Sequence, residues 1–232
     1  MAAPKELTSS TLSVTVHPTN PMTTTISTVS LPESLASNDV LIKVEAAASN
    51  PKDWSHLVAT GASINSGDDL AGVVLAIGPD VTRFKPGDQV AAFHPMGKPY
   101  GAYAEYAIAP EHTTLHIPDT LSFEEASTIP LVSLTAALTL FRRQGFTSPW
   151  ELDAQEKNQN TPLVVYAATT SLGAYAVKLA KLSGIGPIIA IGGGSCESLR
   201  GHLNKPEDVF IDYRTGMEKV KHDIKQLAEE RQ

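Results

Sequence analysis

The chain has 232 residues, 42% hydrophobic and 19% charged, which are the proportions of a soluble globular protein with one large or two modest domains. Its net charge of -7 and the lack of any Lys/Arg tract argue against nucleic acid or an anionic membrane as the main partner. One cysteine, Cys196, excludes an internal disulfide and a cysteine-based zinc cage, and neither a signal-like apolar core nor a membrane-spanning run is present, so a reducing, cytoplasmic setting is expected.

From Leu12 to Pro118 the pattern is short strands and turns. Val40, Ile42 and Val44 alternate with Leu41, Lys43 and Glu45, the signature of a half-buried strand. Pro51 excludes a helix around Asn50, so Asn50-Pro51-Lys52-Asp53-Trp54 reads as a shaped loop. Between Gly67 and Phe93 the glycines at 72, 78 and 87 divide three β segments, with a strong turn at Lys85-Pro86-Gly87-Asp88. Gly101 to Tyr106 begins another strand. Ser122 and Glu125 form a capping box, Pro130 interrupts the helix it opens, and Leu131 to Arg143 continues to a stop at Gly145. Residues 147–161 are polar and read as a solvent loop.

Leu163 to Tyr166 is a short β-branched strand, followed by the small-residue turn Ala167-Ala168-Thr169-Thr170-Ser171 and by Leu172-Gly173. Apolar residues at Leu172, Ala176, Leu179 and Ala180 have helical spacing, and Gly184 suits a helix end. Pro187 to Ile191 is a second strand, leading into Gly192-Gly193-Gly194-Ser195. Such a βαβ unit places a helix N-terminus where an anion can bind, and we read it as the phosphate turn of a dinucleotide domain. Set on G-x-G-x-x-G, the turn gives Ala168, Thr170 and Gly173, so one glycine stands, with a Thr hydroxyl available for a phosphate oxygen. An ordinary βα turn is the competing reading. Where an NAD site places an acid, about 20 residues past the turn, these glycines and Ser195 offer none, and Lys178, Lys181 and Arg200 are near in sequence. That favours NADPH over NADH; the alternative is that the glycines are only a flexible turn. Val209 to Asp212 reads as a third strand and Met217 to Gln232 as an exposed Lys/Glu-rich helix.

The Gly67–Phe93 block, GAYAEY at 101–106 and IPDTLSFEEASTIPLVSLTAAL at 117–138 resemble the medium-chain dehydrogenase/reductase superfamily, and within it the zinc-independent quinone reductases and fungal enoyl reductase-like proteins. The resemblance implies a GroES-like β-rich catalytic domain, residues 1–120, followed by a Rossmann domain, residues 121–232, with NADP(H) as cofactor. It gives Asn50 and Asp53 a place in the cleft, Thr135 a place beside the nicotinamide, and Tyr213 a place against the adenosine. For Thr135 a helix-buried hydroxyl bonding its own backbone is the competing reading.

Zinc members of the superfamily carry Cys where Asn50 stands and Gly-His-Glu where Gly67-Asp68-Asp69 stands, so no zinc site is expected. His112 and His116 lie in expected extended chain, where their spacing does not converge on a metal. SHLVATGASINSG, after the Asn50–Trp54 loop, contains no Tyr, and no general acid is assigned. Family members continue with about three more strands. The resemblance therefore implies a partial doubly wound parallel sheet in spatial order 3-2-1, leaving 163–166 as an edge for a second copy or a partner chain to cover. The expected function is NADPH-dependent, zinc-independent reduction of an activated C=C bond or quinone in a small molecule, in a fungal-type biosynthetic setting. The alternative is a non-catalytic family member that binds nucleotide or acts as a scaffold or partner protein.

Overall fold

Val40 and Ile42 are fully buried, and around them the first of two compact units, Met1–Leu131, is built. The structure, a computed structural model, describes residues 9–194, 199 and 201–229. In the first unit β1 (Ser10–His17) and β2 (Thr23–Ser30) form an antiparallel hairpin. β3 (Asp39–Ala48), β4 (Asp69–Ile77), β5 (Gln89–Phe93), β6 (Tyr106–Pro110) and β7 (Thr114–His116) make a five-stranded antiparallel sheet in the order β6-β3-β4-β5-β7. Alternate residues of these strands point to one face, which packs Val40, Ile42, Leu70, Val74 and Val90 into a core with Phe84 from the β4–β5 connection. Leu41, expected on the open face, is buried too.

Three local expectations change in this unit. Helix α1 (Lys52–Thr60) begins immediately after Pro51, because a proline without N–H is tolerated at a helix start, where that donor has no acceptor. Asp53 and Trp54 are therefore helical, not looped. Gly67 to Phe93 holds two strands rather than three: Gly72 lies inside β4, opposite a register shift between Val44 and Ala46 of β3. The strand expected from Gly101 starts only at Tyr106. The Ser122–Glu125 capping box is present and opens α2 (Phe123–Ser127). Ala126 of α2 shares a core with Ala71, Ala91 and Ile117, which carries the first unit past residue 120 to Leu131.

The second unit is Val132–Gln232. Helix α3 (Pro130–Ala137) runs into a π-helical stretch, Leu138–Arg143, and the chain turns at Gly145 with φ 77°. The segment expected as a solvent loop contains helix α4 (Ala154–Asn158), whose Ala154 and Asn158 are buried. Asn158 Nδ2 donates to the carbonyls of Thr147 and Ser183, at 2.7 and 2.8 Å, which fixes the segment. Strands β8 (Leu163–Tyr166), β9 (Ile188–Gly192) and β10 (Val209–Asp212) form a parallel sheet in the order β10-β9-β8. This is the 3-2-1 arrangement of a partial Rossmann fold.

Helix α5 (Ser171–Leu182) covers one face of that sheet, with Val177 and Ala180 against Leu163, Val165, Ile188 and Ala190. Leu172, expected on the apolar stripe, is exposed instead, since the inward face runs through Gly173, Val177 and Ala180. Helix α6 (Met217–Glu229) was expected to be exposed, yet Val220 packs with Ile189, Ile191 and Ile211 on the opposite face. It leaves the edge strand bare: Val164 is 48% and Tyr166 60% exposed. No helix among the described residues is long and apolar enough to cross a membrane.

Candidate functional site

The first unit gathers a buried polar cluster at the start of α1. Asn50 donates its backbone N–H to Asp53 Oδ2 at 2.8 Å and its side-chain amide to Asp69 Oδ2 at 2.8 Å. Asp69 Oδ1 accepts the Leu131 N–H at 2.8 Å. Tyr103 OH donates to Asp53 Oδ2 at 2.6 Å. Lys52 Nζ reaches the Ser66 carbonyl at 2.7 Å and Asp53 Oδ1 at 2.9 Å, and pairs closely with Asp68 Oδ2. The Gly67-Asp68-Asp69 triplet is thereby explained residue by residue. A Cβ at Gly67 would lie 2.7 Å from the Tyr103 ring, so only glycine admits the ring; Asp68 meets Lys52, and Asp69 meets Asn50.

Electrostatics follow from burial. Desolvation pushes the Asp69 carboxyl up to about 6, with Asp68 and Asp53 adding to the shift and the bonds from Asn50 and Leu131 resisting it. Desolvation also raises Asp68, against the opposing pull of Lys52. Tyr103 is raised by burial and then by the Asp53 carboxylate, so its hydroxyl stays protonated and donating. Asp68 Oδ1 and Ser66 Oγ, both buried, have no hydrogen-bond partner among the described residues.

The donor set does not fit zinc. Asn50 contributes an amide, no thiolate or imidazole joins, and an ammonium already lies between two of the carboxylates. Among the described residues no group of three or more His, Cys, Asp or Glu could hold a metal ion. The local stretch after Asn50 offered no Tyr, but the fold brings Tyr103 from fifty positions beyond Asp53 in sequence. Neither Tyr103 nor Lys52 was singled out by sequence reasoning. GAYAEY carried no chemical signal on its own.

The second unit holds the βα turn. Ala167 has φ 59°, a left-handed conformation that favours glycine, at the residue between β8 and Ala168. Thr170 caps α5: its Oγ1 accepts from the Gly173 N–H at 3.2 Å and its hydroxyl donates to the Ala167 carbonyl at 2.8 Å. That hydroxyl is committed to the turn. A Cβ at Gly173 would lie 2.6 Å from Ala168 Cα and overlap the Ala167 carbonyl. The amides of Ser171 and Leu172, in the first turn of α5, have no helical acceptor, the arrangement in which a helix end can take an anion. A cavity of about 270 Å³ reaches Thr170, Leu172 and Gly173 along β8, so this helix end is open. Thr139, not Thr135, lines it; Thr135 sits in α3 with its carbonyl accepting from the Thr139 hydroxyl at 2.8 Å.

The same turn meets the glycines that end β9. The Gly193 N–H donates to Thr169 Oγ1 at 3.4 Å, and a Cβ at Gly192 would lie 2.7 Å from Thr169 Cγ2. A Cβ at Gly193 would be 3.1 Å from Tyr213 OH, and one at Gly194 would overlap the Arg214 guanidinium. The Tyr213 ring, beside Gly193, has its centroid 6.3 Å from that of Tyr166. Thr169 to Gly173, Gly192 to Gly194 and Tyr213 are therefore assembled at the carboxyl end of one sheet, while Ser195 and Arg200 lie outside the described residues. Lys181 is paired with Asp208 at 2.5 Å and Lys178 lies over the Tyr175 ring, 5.5 Å from its centroid. Arg214, missed in sequence, is the cation the fold brings to the glycines.

Residues 36–119 match the alcohol dehydrogenase GroES-like domain. The trans-enoyl reductase fsr4 of Gibberella fujikuroi is 40% identical over 189 residues, which cover 80% of this chain and 55% of fsr4. The chain belongs to the medium-chain dehydrogenase/reductase superfamily. Another superfamily relative, a chloroplastic quinone-oxidoreductase homolog of Spinacia oleracea, is 35% identical over 190 residues, 77% of this chain and 54% of its own. The 2-octenoyl-CoA carboxylase reductase CinF from a Streptomyces species, solved with NADP and 2-octenoyl-CoA, shares the superfamily fold with a TM-score of 0.66. It is 20% identical, and the match covers 90% of this chain and 57% of CinF. The chain spans about half the length of the curated relatives it matches.

Proposed function

We propose that this medium-chain dehydrogenase/reductase chain belongs to an NADPH-dependent oxidoreductase that reduces an activated C=C bond or a quinone by hydride transfer, without a catalytic zinc. The observation that carries the reading is the glycine-floored cradle at the carboxyl end of β8–β10, open at the amino end of α5. The residues there fit a dinucleotide: the Ser171 and Leu172 amides suit a pyrophosphate, Gly192 and Gly193 admit close approach, and Tyr213 suits the adenosine. Bound there, the cofactor supplies the hydride. The enoyl and quinone reductases among the relatives, and NADP in CinF, support the substrate class and the cofactor.

In the first unit, Lys52, Asn50 and Tyr103 hold Asp53, Asp68 and Asp69 in place of a metal site, so activation of the substrate falls to hydrogen bonds and orientation. A small-molecule substrate and a reducing compartment fit the composition. The test is NADPH oxidation by the folded protein with a panel of enones and quinones, after exhaustive chelation of metals. Turnover that survives chelation supports the reading. Activity that returns only with added zinc, or no turnover with any acceptor, contradicts it; tight NADPH binding without turnover favours a nucleotide-binding, non-catalytic role.

A further inference from the structure

The chain leaving β10 carries Asp212-Tyr213-Arg214. The Asp212 carboxylate grips the Arg214 side chain: Nε donates to Oδ1 at 3.0 Å and to Oδ2 at 3.1 Å, and Nη2 donates to Oδ2 at 2.7 Å. The Arg214 backbone N–H also donates to Oδ1, at 3.0 Å. A planar guanidinium bound at two of its nitrogens leaves the third, Nη1, outside the ion pair. Among the described residues Nη1 has no hydrogen-bond partner. The group lies on Gly194, where any side chain would overlap it, beside Gly193, on which the Tyr213 hydroxyl rests. The end of β9 is where a doubly wound nucleotide domain meets the adenosine ribose, and an acid there accepts from the 2′-hydroxyl of NAD. Here the carboxylate that ends β10, Asp212, is paired with Arg214.

We infer that Arg214, clamped by Asp212 on the Gly193–Gly194 floor, is the residue that selects a 2′-phosphorylated adenosine ribose. The inference rests on the dinucleotide reading of this unit. Of the three cations offered by the sequence, Lys181 is engaged by Asp208 and Lys178 by the Tyr175 ring, while Arg200 lies outside the described residues. Arg214 acts on the 2′ substituent alone, because the pyrophosphate donors belong to a different element, α5. Losing Arg214 also uncovers the Asp212 carboxylate, which then repels a 2′-phosphate and accepts from a 2′-hydroxyl. The preference should collapse or reverse, which loss of a bystander cation would not produce.

The experiment is calorimetric titration of the full chain with 2′,5′-ADP and with 5′-ADP, for the wild type, Arg214→Gln and Arg214→Lys. The wild type should bind 2′,5′-ADP about 10–100-fold more tightly, the range of charge-assisted hydrogen bonds to one phosphate. Arg214→Gln should erase that ratio while keeping or improving 5′-ADP binding, and Arg214→Lys should fall between. An unchanged ratio in Arg214→Gln overturns the assignment, as does equal wild-type affinity for both ligands or a parallel loss of both in the variant. Failure of the folded wild type to bind either ligand removes the dinucleotide reading itself and is distinguishable from those results.

Discussion

Asp69 is buried with one oxygen on the Asn50 amide and the other on the Leu131 N–H, and its carboxyl rises from an ordinary 3.8 to about 6. A carboxyl raised in the fold holds its proton more tightly there than in the unfolded chain. Its stabilising contribution is fully present below pH 4 and is lost as the pH climbs from about 4 to about 6. Urea unfolding at pH 4.5 and pH 7 should therefore show Asp69→Asn losing less stability across the interval than wild type, by on the order of 2 kcal/mol. Equal losses would contradict the raised value. Asn50 and Asp69 were visible in sequence as replaced ligand positions, but their bond was not, because nineteen positions separate them. The phosphate turn was legible as small residues between strand and helix. Its left-handed residue was not, because that backbone falls on Ala167, whose side chain gives no hint of it.

The end of α5 is tied to the start of β9 through one buried acid. Asp208 accepts Lys181 Nζ at 2.5 Å, the Ile188 N–H at 2.9 Å and the Lys205 N–H at 3.0 Å. Burial works to raise its carboxyl, but Lys181 and the two amides outweigh that and hold it low, so its contribution is present above the ordinary carboxylate range and lost as the pH falls. Lys181→Met leaves the Asp208 charge buried beside two amides alone. Chemical denaturation should show a loss of about 3–5 kcal/mol, much of it recovered in the Lys181→Met, Asp208→Asn double variant. A cost below about 1 kcal/mol, the size of an exposed pair, would show that the acid is not buried.

Strands β8 and β10 and the α2 capping box were legible at this scale, because each is set by local composition. Helix α1 was hidden because a proline reads as a breaker unless its place in the first turn is known. The inward face of α6 was masked by its many charges, although Val220, Ile224 and Leu227 carry the spacing.

At the scale of the molecule, motif order gave the architecture: a β-rich unit followed by a parallel sheet in the order 3-2-1. What motif order could not give is which faces are covered. Helix α5 closes one face of the second sheet and α6 the other side of β9 and β10, leaving Val164 and Tyr166 bare beside the cavity at the amino end of α5. The bare edge and the open helix end lie in one unit, and hydride transfer requires a nucleotide at the latter. Amide hydrogen exchange of the folded chain, with and without saturating NADPH, reads that position directly. A nucleotide bound there should slow exchange at Thr169–Gly173 and Gly192–Gly194; unchanged exchange at both segments, or protection only in the first unit, would rule it out.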